Sequence, residues 1–164
     1  MFQNKIYIKN STLKKLENLK KQGKKIVLCH GSFDLVHPGH LNHFQEAKSY
    51  GDILIVTITA DNYIKKNIHS PFYNQEIRRN FLQNLKIVDY VFIVKDKSAI
   101  PSLEKIKPNF YCKGLEYKIT DNIGNLKEEK KILYKNKGKL LFLGKNVQSS
   151  SKLISNFFFN LENK

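Results

Sequence analysis

Two cysteines stand in a chain of 164 residues. So few exclude a disulfide framework, and Cys29 and Cys112 form no C-x-x-C pair. Each sits at the end of an apolar run, where a buried, inert thiol is expected. No apolar run approaches the ~20 residues that cross a bilayer, so membrane insertion is not expected. Residues 1–25, MFQNKIYIKNSTLKKLENLKKQGKK, are rich in lysine but lack the unbroken apolar stretch of a secretory signal. Cytoplasmic residence is the expectation. Linkers, repeats and low-complexity segments are missing too, and the length suits one domain with a single core. Acidic residues are in the minority: 14 Asp and Glu face 29 Lys and Arg, for a net charge of +15. Such a field favours nucleic acid, membrane headgroups or phosphorylated metabolites. The lysines run along the whole chain, and abundant Lys, Asn and Ile also fit compositional bias, so charge alone selects no partner. Apolar residues make up 41%, near the ordinary globular value, which argues against disorder.

What is present is an alternation of short elements. STLKKLENLKKQGKK reads as a helix capped by Ser11 or Thr12, with Leu13, Leu16 and Leu19 as its apolar stripe and Gly23 at its end. KIVLC is a buried strand. HPGHLNHFQEAKSYG follows as a helix with Pro38 in its first turn, Leu41, Phe44 and Ala47 inward, and Gly51 as terminator. DILIVTITA is apolar on nearly every residue, as a strand covered on both faces must be. PFYNQEIRRNFLQNLKIV has Ile77, Phe81, Leu82 and Leu85 at helical spacing, and DYVFIV is a third strand. AIPSLEKIKPN is a short helix stopped at Pro108, followed by the strand FYCKG. NLKEEKKILYKNKG is helical, KLLFLG a fifth strand, and SSSKLISNFFFNLE a last helix with a serine cap. This order calls for an α/β fold, a parallel sheet with helices on both faces joined by right-handed crossovers. Residues 1–24 are expected to form a helical extension packed on a domain spanning 25–164. Ligands of such sheets bind beyond the carboxyl ends of the strands, where strand order reverses.

HGSFDLVHPGH, residues 30–40, sits at that end of the first strand and holds three of the five histidines and two of the eight glycines. Gly31 suits a sharp turn or a close approach. A helix starting near Pro38 has unsatisfied amides and the positive end of its dipole, a combination that binds phosphate. His37 and His40, three apart, project into the same space, and Gly39 between them leaves the backbone open to an anion. Asp34 can fix the turn or hold a polar part of a ligand. Zinc ligation by His30, His37, His40 and His43 is an alternative, although no Cys or carboxylate ligand accompanies them and Gly39 would go unexplained. Structural packing is the expected fate of His30 and His43, and His69 reads as a solvated loop residue.

GSFDLVHPGH resembles the GxFDxxHxGH signature of the cytidylyltransferase-like nucleotidyltransferases, a family that includes glycerol-3-phosphate and phosphocholine cytidylyltransferases and heptose-1-phosphate adenylyltransferases. The resemblance runs from about Lys25 to Ile154. GDILIVTITADNYIKK is similar to the family's second strand, with Asp61 at its acidic position and Lys65 or Lys66 near a substrate-facing lysine. EIRRNFLQNLKIVDYV resembles the E-x-R helix leading into a V-D strand, with Arg78 as its arginine. YCKGLEYK is similar to the K-G-x-[DE]-Y segment of the sugar-phosphate adenylyltransferase branch, and VQSSSKLI to the serine/threonine-rich helix start that closes over the nucleotide. One departure stands out: GKNVQSSS has Lys145 where the cytidylyltransferases carry an arginine, and it has no glycine before the serines.

The resemblance implies a single-domain Rossmann-like fold of the HxGH nucleotidyltransferase kind. It also implies a reaction in which a substrate phosphate attacks the α-phosphorus of a nucleoside triphosphate and expels pyrophosphate. His37, His40, Lys66 and Arg78 would be catalytic, the imidazoles and cations stabilising developing charge. Gly31, Ser32, Phe33, Asp34 and Gly39 would seat the triphosphate, with Lys113, Gly114, Ser149, Ser150 and Ser151 completing the nucleotide site. Asp61, Lys65 and Glu116 would meet the acceptor. The alternatives are an exposed helix charge for Arg78, an ordinary turn for Lys113 and Gly114, and a surface loop for Glu116 and Tyr117. Mg²⁺ is expected with the triphosphate, held by phosphate oxygens and water, with no metal ligand from the protein. A homodimer is expected, with NFFFNL as core or dimer contact. CTP is placed ahead of ATP because the chain stands alone instead of being fused to a sugar kinase; the alternative is a sugar or heptose-1-phosphate adenylyltransferase using ATP. The partners are then the triphosphate and a phosphorylated alcohol or sugar, with no nucleic acid. A basic nucleic-acid-binding module is the rival outside enzymology. Against it stand the missing aromatic-basic motif and three acidic residues, Asp34, Asp52 and Asp61, expected near the site edge. A catalytically silent protein on the same fold is opposed by the intact histidine pair.

Overall fold

The computed structural model describes residues 5–64, 70–119 and 125–144. Five parallel strands form one sheet in the order β3-β2-β1-β4-β5. They are β1 (Ile26–Gly31), β2 (Ile53–Thr59), β3 (Tyr90–Val94), β4 (Phe110–Gly114) and β5 (Lys139–Leu143). The order reverses between β1 and β4, so the carboxyl ends of those two strands flank the ligand crevice of such a sheet. Every residue of β2 is buried, as its unbroken apolar run requires of a strand with layers above and below.

Helices α1 (Asn10–Lys21), α4 (Ile100–Ile106) and α6 (Leu126–Lys135) cover one face, where Leu16, Leu103 and Leu133 join Ile26, Leu28 and Ile55 in a common core. Helices α2 (Pro38–Ser49) and α3 (Gln75–Gln83) cover the other, where Phe44, Ala47 and Leu82 pack on Val27, Cys29 and Val56. A four-residue helix, α5 (Glu116–Ile119), follows β4. Ahead of α1, Ile6 bridges Val94 antiparallel and Lys5 pairs with Asp96 at 2.5 Å. These contacts lie along β3, an edge strand that would otherwise offer unpaired groups.

Several local expectations need correction. Helix α1 begins at Asn10 with Lys9 in the cap position, so Ser11 and Thr12 lie inside its first turn and cap nothing. Leu41 is exposed, while Phe44 and Ala47 face inward as expected. In α3, Ile77 and Phe81 stand 48% and 52% exposed, and the inward positions belong to Arg78 and Leu82. Asp52 precedes β2 at the amino end of the sheet, where it accepts the amide of Lys25, and so is remote from Asp34 and Asp61. The last expected helix, with Ser149, Ser150, Ser151 and NFFFNL, lies outside the described residues.

Candidate active site

Helix α2 is capped by histidines. His37, at the N-cap with extended backbone, accepts the amide of Gly39 on Nδ1 at 3.1 Å, and Nδ1 of His40 accepts the amide of His37 at 3.4 Å. This is a reciprocal capping box built from imidazoles instead of Ser and Glu. The amides of His40 and Leu41 bond the His37 carbonyl at 2.9 and 3.3 Å. The first turn of α2 therefore has no open backbone donor, because Pro38 lacks one. The helix amides expected to cradle phosphate are thus bonded within the cap in this structure.

What the cap does instead is fix two tautomers. Each ring accepts on Nδ1, so its proton in the neutral form resides on Nε2. The rings lie 4.0 Å apart, centroid to centroid. His37 is 8% exposed and its Nε2 is buried without a hydrogen-bond partner among the described residues. Burial pulls its basicity below the ordinary imidazole value. The ring is thus a neutral donor, and an oriented buried donor that lacks a partner is built to receive an acceptor.

Phe33 supports this pair from beneath. Its backbone is left-handed, φ 46°, which is uncommon for a bulky residue and delivers the ring under His40, 5.2 Å away and edge-on. A Cβ on Gly31 would meet that ring at 3.2 Å. The close approach at Gly31 is to Phe33, a buried wedge.

Asp34 and Arg78 organise the surrounding chain. Asp34 is buried and accepts the amides of Phe72 and Tyr73 at 2.8 and 3.0 Å, so it fixes the segment before α3 to the motif. Arg78 is 1% exposed. Its guanidinium donates to the carbonyls of Ser32 (2.5 Å), Tyr73 (2.9 Å) and Thr59 (2.9 Å), and to Asp61 Oδ1 (2.6 Å). Asp61 Oδ2 accepts the amide of Gln75 at 3.1 Å. Four of the five guanidinium hydrogens are engaged, so Arg78 is a clamp joining the ends of β1 and β2 to α3. The bonds that Arg78 and Asp61 make among the described residues are these scaffold bonds, where a phosphate grip and an acceptor contact were the expectation. Ser32 enters through its carbonyl.

The opposite face of the same sheet edge holds a second polar group. Lys113 donates to Glu129 Oε2 at 3.0 Å and to Tyr111 Oη at 3.3 Å, and its ammonium lies 4.6 Å from the centre of the Tyr117 ring. Tyr111 Oη donates to Glu129 Oε2, and the amide of Ala99 donates to Oε1. Glu129 is 2% exposed. Burial opposes its ionisation, yet the Lys113 ammonium and the Ala99 amide win and hold the carboxyl below its ordinary range. Lys113 is therefore a buried cation paired with Glu129. The Glu116 carboxylate lies over Gly114, at the spot a Cβ there would occupy. His30 bonds Thr57 Oγ1 through Nδ1 (2.9 Å) and the Lys97 carbonyl through Nε2 (3.4 Å); burial pulls its pKa down to about 4. His43 sits 3.6 Å from the Cys29 sulfur.

His37, His40, Gly39 and the Gly31–Asp34 turn are thus brought together beside Arg78 and Asp61, while Lys113, Gly114 and Glu116 meet across the switch point. Among the described residues no three His, Cys, Asp or Glu converge as a metal site, and His30 lies on the other face from His37. Lys65, Lys66, His69, Lys145 and Ser149–Ser151 lie outside the described residues. Glu129 and Tyr111 carry no motif in the sequence; the one signal is a glutamate on the Leu126/Leu133 stripe of α6.

A family model described as cytidylyltransferase-like matches residues 28–156. Bifunctional protein HldE of Aliarcobacter butzleri (strain RM4018) is 41% identical over 112 residues, covering 67% of this chain and 23% of that protein. HldE of Helicobacter pylori (strain HPAG1) is 38% identical over 114 residues, covering 68% and 25%. The chain spans about a quarter of the length of these curated relatives. Among solved structures, a lipopolysaccharide core biosynthesis protein from Thermoplasma volcanium GSS1 aligns with TM-score 0.64 at 24% identity, over 76% of this chain and all of that one. Pantoate-beta-alanine ligase from Francisella tularensis aligns with TM-score 0.57 at 18% identity, over 93% and 77%. Both share the fold.

Proposed function

The chain belongs to the cytidylyltransferase-like family, and from that premise we propose that it is a nucleotidyltransferase moving the adenylyl group of ATP onto a sugar 1-phosphate of the heptose class, with release of pyrophosphate. This reverses the order of nucleotides expected from the sequence. The likeness to the HldE proteins at about 40% identity supports the adenylyltransferase reading, in agreement with the segment Lys113–Tyr117. Transfer of CMP to a phosphorylated alcohol is the second reading, favoured by the description of the matching family.

The observation that carries the reading is the pair of Nε2–H donors fixed by the capping box of α2. An oxygen of the acceptor phosphate bonds to the α-phosphorus as the bond to the bridging oxygen breaks, and pyrophosphate leaves with that bond's electron pair. The attacking group is already an anion, so no protein base is required. The chain's part is to align two mutually repelling anions and stabilise charge as it moves toward pyrophosphate. Neutral Nε2–H donors do this without a proton being transferred. Magnesium would travel with the triphosphate on phosphate oxygens and water. Asp34 and Asp61 do not fit a metal cage, since their oxygens bond amides and Arg78. Lys66 and the three serines remain proposed phosphate ligands, and a cytoplasmic homodimer is the proposed setting.

The test is pyrophosphate release with ATP, CTP, UTP and GTP against a panel of sugar 1-phosphates and alcohol phosphates. The reading requires ATP with a sugar 1-phosphate to be the fastest pair. Turnover with CTP and an alcohol phosphate alone selects the second reading, and no release with any pair sinks both.

A further inference from the structure

The lysines are not evenly distributed over the folded chain. The three helices on the α1–α4–α6 face, with their flanking turns (residues 9–25, 100–109 and 125–139), carry fifteen lysines and four glutamates. The α2–α3 face (37–52 and 70–89) carries four basic and four acidic residues on a similar length of chain. Compositional bias would decorate both layers alike, so bias does not explain a face at +11 opposite a face at zero.

The charge is also arranged in rows. Lys127, Lys131 and Lys135 are exposed along one stripe of α6, opposite the buried stripe of Leu126, Glu129 and Leu133. On α1, Lys14 and Lys21 share a stripe seven residues apart, away from buried Leu16. The patch crosses from α1 to α4, because Lys20 donates to the carbonyls of Ile106 and Lys107 at 2.7 and 2.6 Å. There burial, and next the charge of Lys107, depress the basicity of Lys20. Acids relieve this crowding only in part: Glu17 lies near Lys20, Glu128 pairs with Lys131 at 4.0 Å and Asp52 with Lys24 at 2.9 Å, against fifteen lysines in these segments.

We propose that the α1–α4–α6 face docks on an anionic lipid bilayer and holds the protein there peripherally. Every cation on it is lysine; the two arginines, Arg78 and Arg79, both belong to α3. Lysine is a hydrated point charge suited to a diffuse anionic plane, whereas nucleic-acid recognition leans on guanidinium forks and stacked aromatic rings. One ring, Tyr134, stands exposed among these lysines, an amphipathic group matched to headgroup depth. The N-terminus of α2 belongs to the other layer, so a docked molecule keeps its histidine pair on the side away from the lipid.

Co-flotation of the full chain with vesicles tests this, using phosphatidylcholine alone and phosphatidylcholine mixed with phosphatidylglycerol, at low and at physiological salt. Binding to the anionic vesicles only, weakening as salt rises, is expected. Replacing Lys127, Lys131 and Lys135 by Gln is expected to weaken binding roughly fivefold per lysine, while Lys86→Gln on the α2–α3 side leaves it unchanged. Three results overturn the proposal: no binding to anionic vesicles at low salt, equal loss with Lys86→Gln, or random oligonucleotides displacing the protein from vesicles through the same three lysines. The last would reassign the face to nucleic acid.

Discussion

The rings of His37 and His40 stack at 4.0 Å with a 36° tilt because each closes the other's end of one capping box. Helix stability and proton placement are thereby a single device. Protonating His37 puts a hydrogen on Nδ1, which must then release the amide of Gly39. A substitution can separate the two roles. His37→Asn retains a good N-cap acceptor but removes the Nε2 donor. Its melting temperature should stay near that of the parent while kcat falls about 10²–10³-fold, the usual loss for one such donor. His40→Ala should lose rate similarly. Activity at the parent's level in both variants, read in a pyrophosphate-release assay, would refute the assignment.

Arg78 yields a stability prediction. Its guanidinium joins four groups from three segments in a fully buried place. Arg78→Lys keeps the charge but has no fork to reach Ser32, Thr59 and Asp61 together. Removing one partner of a buried charge network costs about 3–5 kcal/mol. Urea unfolding should show a loss of that order for Arg78→Ala, and at least about 2 kcal/mol for Arg78→Lys. A loss below 1 kcal/mol would mean the clamp is idle.

The same residue marks where sequence reading stops. Strands are legible because a run such as ILIVTIT has only one way to be buried, and the histidine motif is legible because ten consecutive residues carry it. Helical spacing places Ile77 and Phe81 inward on α3, because charged side chains belong in water by default. Its inward stripe is Arg78 and Leu82, since carbonyls at the ends of β1 and β2 await a donor there. Those carbonyls belong to residues 46 and 19 positions away. Only the folded topology brings them to α3. The Lys113–Glu129 pair hid for the same reason, sixteen residues apart on a strand and a helix that each looked ordinary.

His30 sets a pH dependence. Its folded pKa, about 4, lies below the ordinary imidazole value of 6.5, chiefly through burial. The unfolded chain therefore binds the extra proton first as pH falls. Stability is full above pH 6.5 and declines as pH drops toward 4, by up to roughly 3 kcal/mol. His30→Asn should flatten the difference between stabilities measured at pH 7 and pH 4.5, compared by chemical unfolding at each pH. A variant as acid-sensitive as the parent would move the effect to other groups.

Glu129→Gln should be among the most damaging single changes on the α1–α4–α6 side. The carboxylate neutralises Lys113, receives Tyr111 Oη, and caps the start of α4 through Ala99. With the charge gone, Lys113 is a buried ammonium facing a neutral amide, a state worth about 3–5 kcal/mol of destabilisation. The loss should come from the stranded cation more than from the missing hydrogen bonds. Lys113→Met in the Glu129→Gln background should therefore recover much of the stability, because the double variant buries no net charge. Thermal unfolding of the wild type, both single variants and the double variant forms a complete cycle. A double variant no more stable than Glu129→Gln would show that the pair's charge is not what holds β4 to α6.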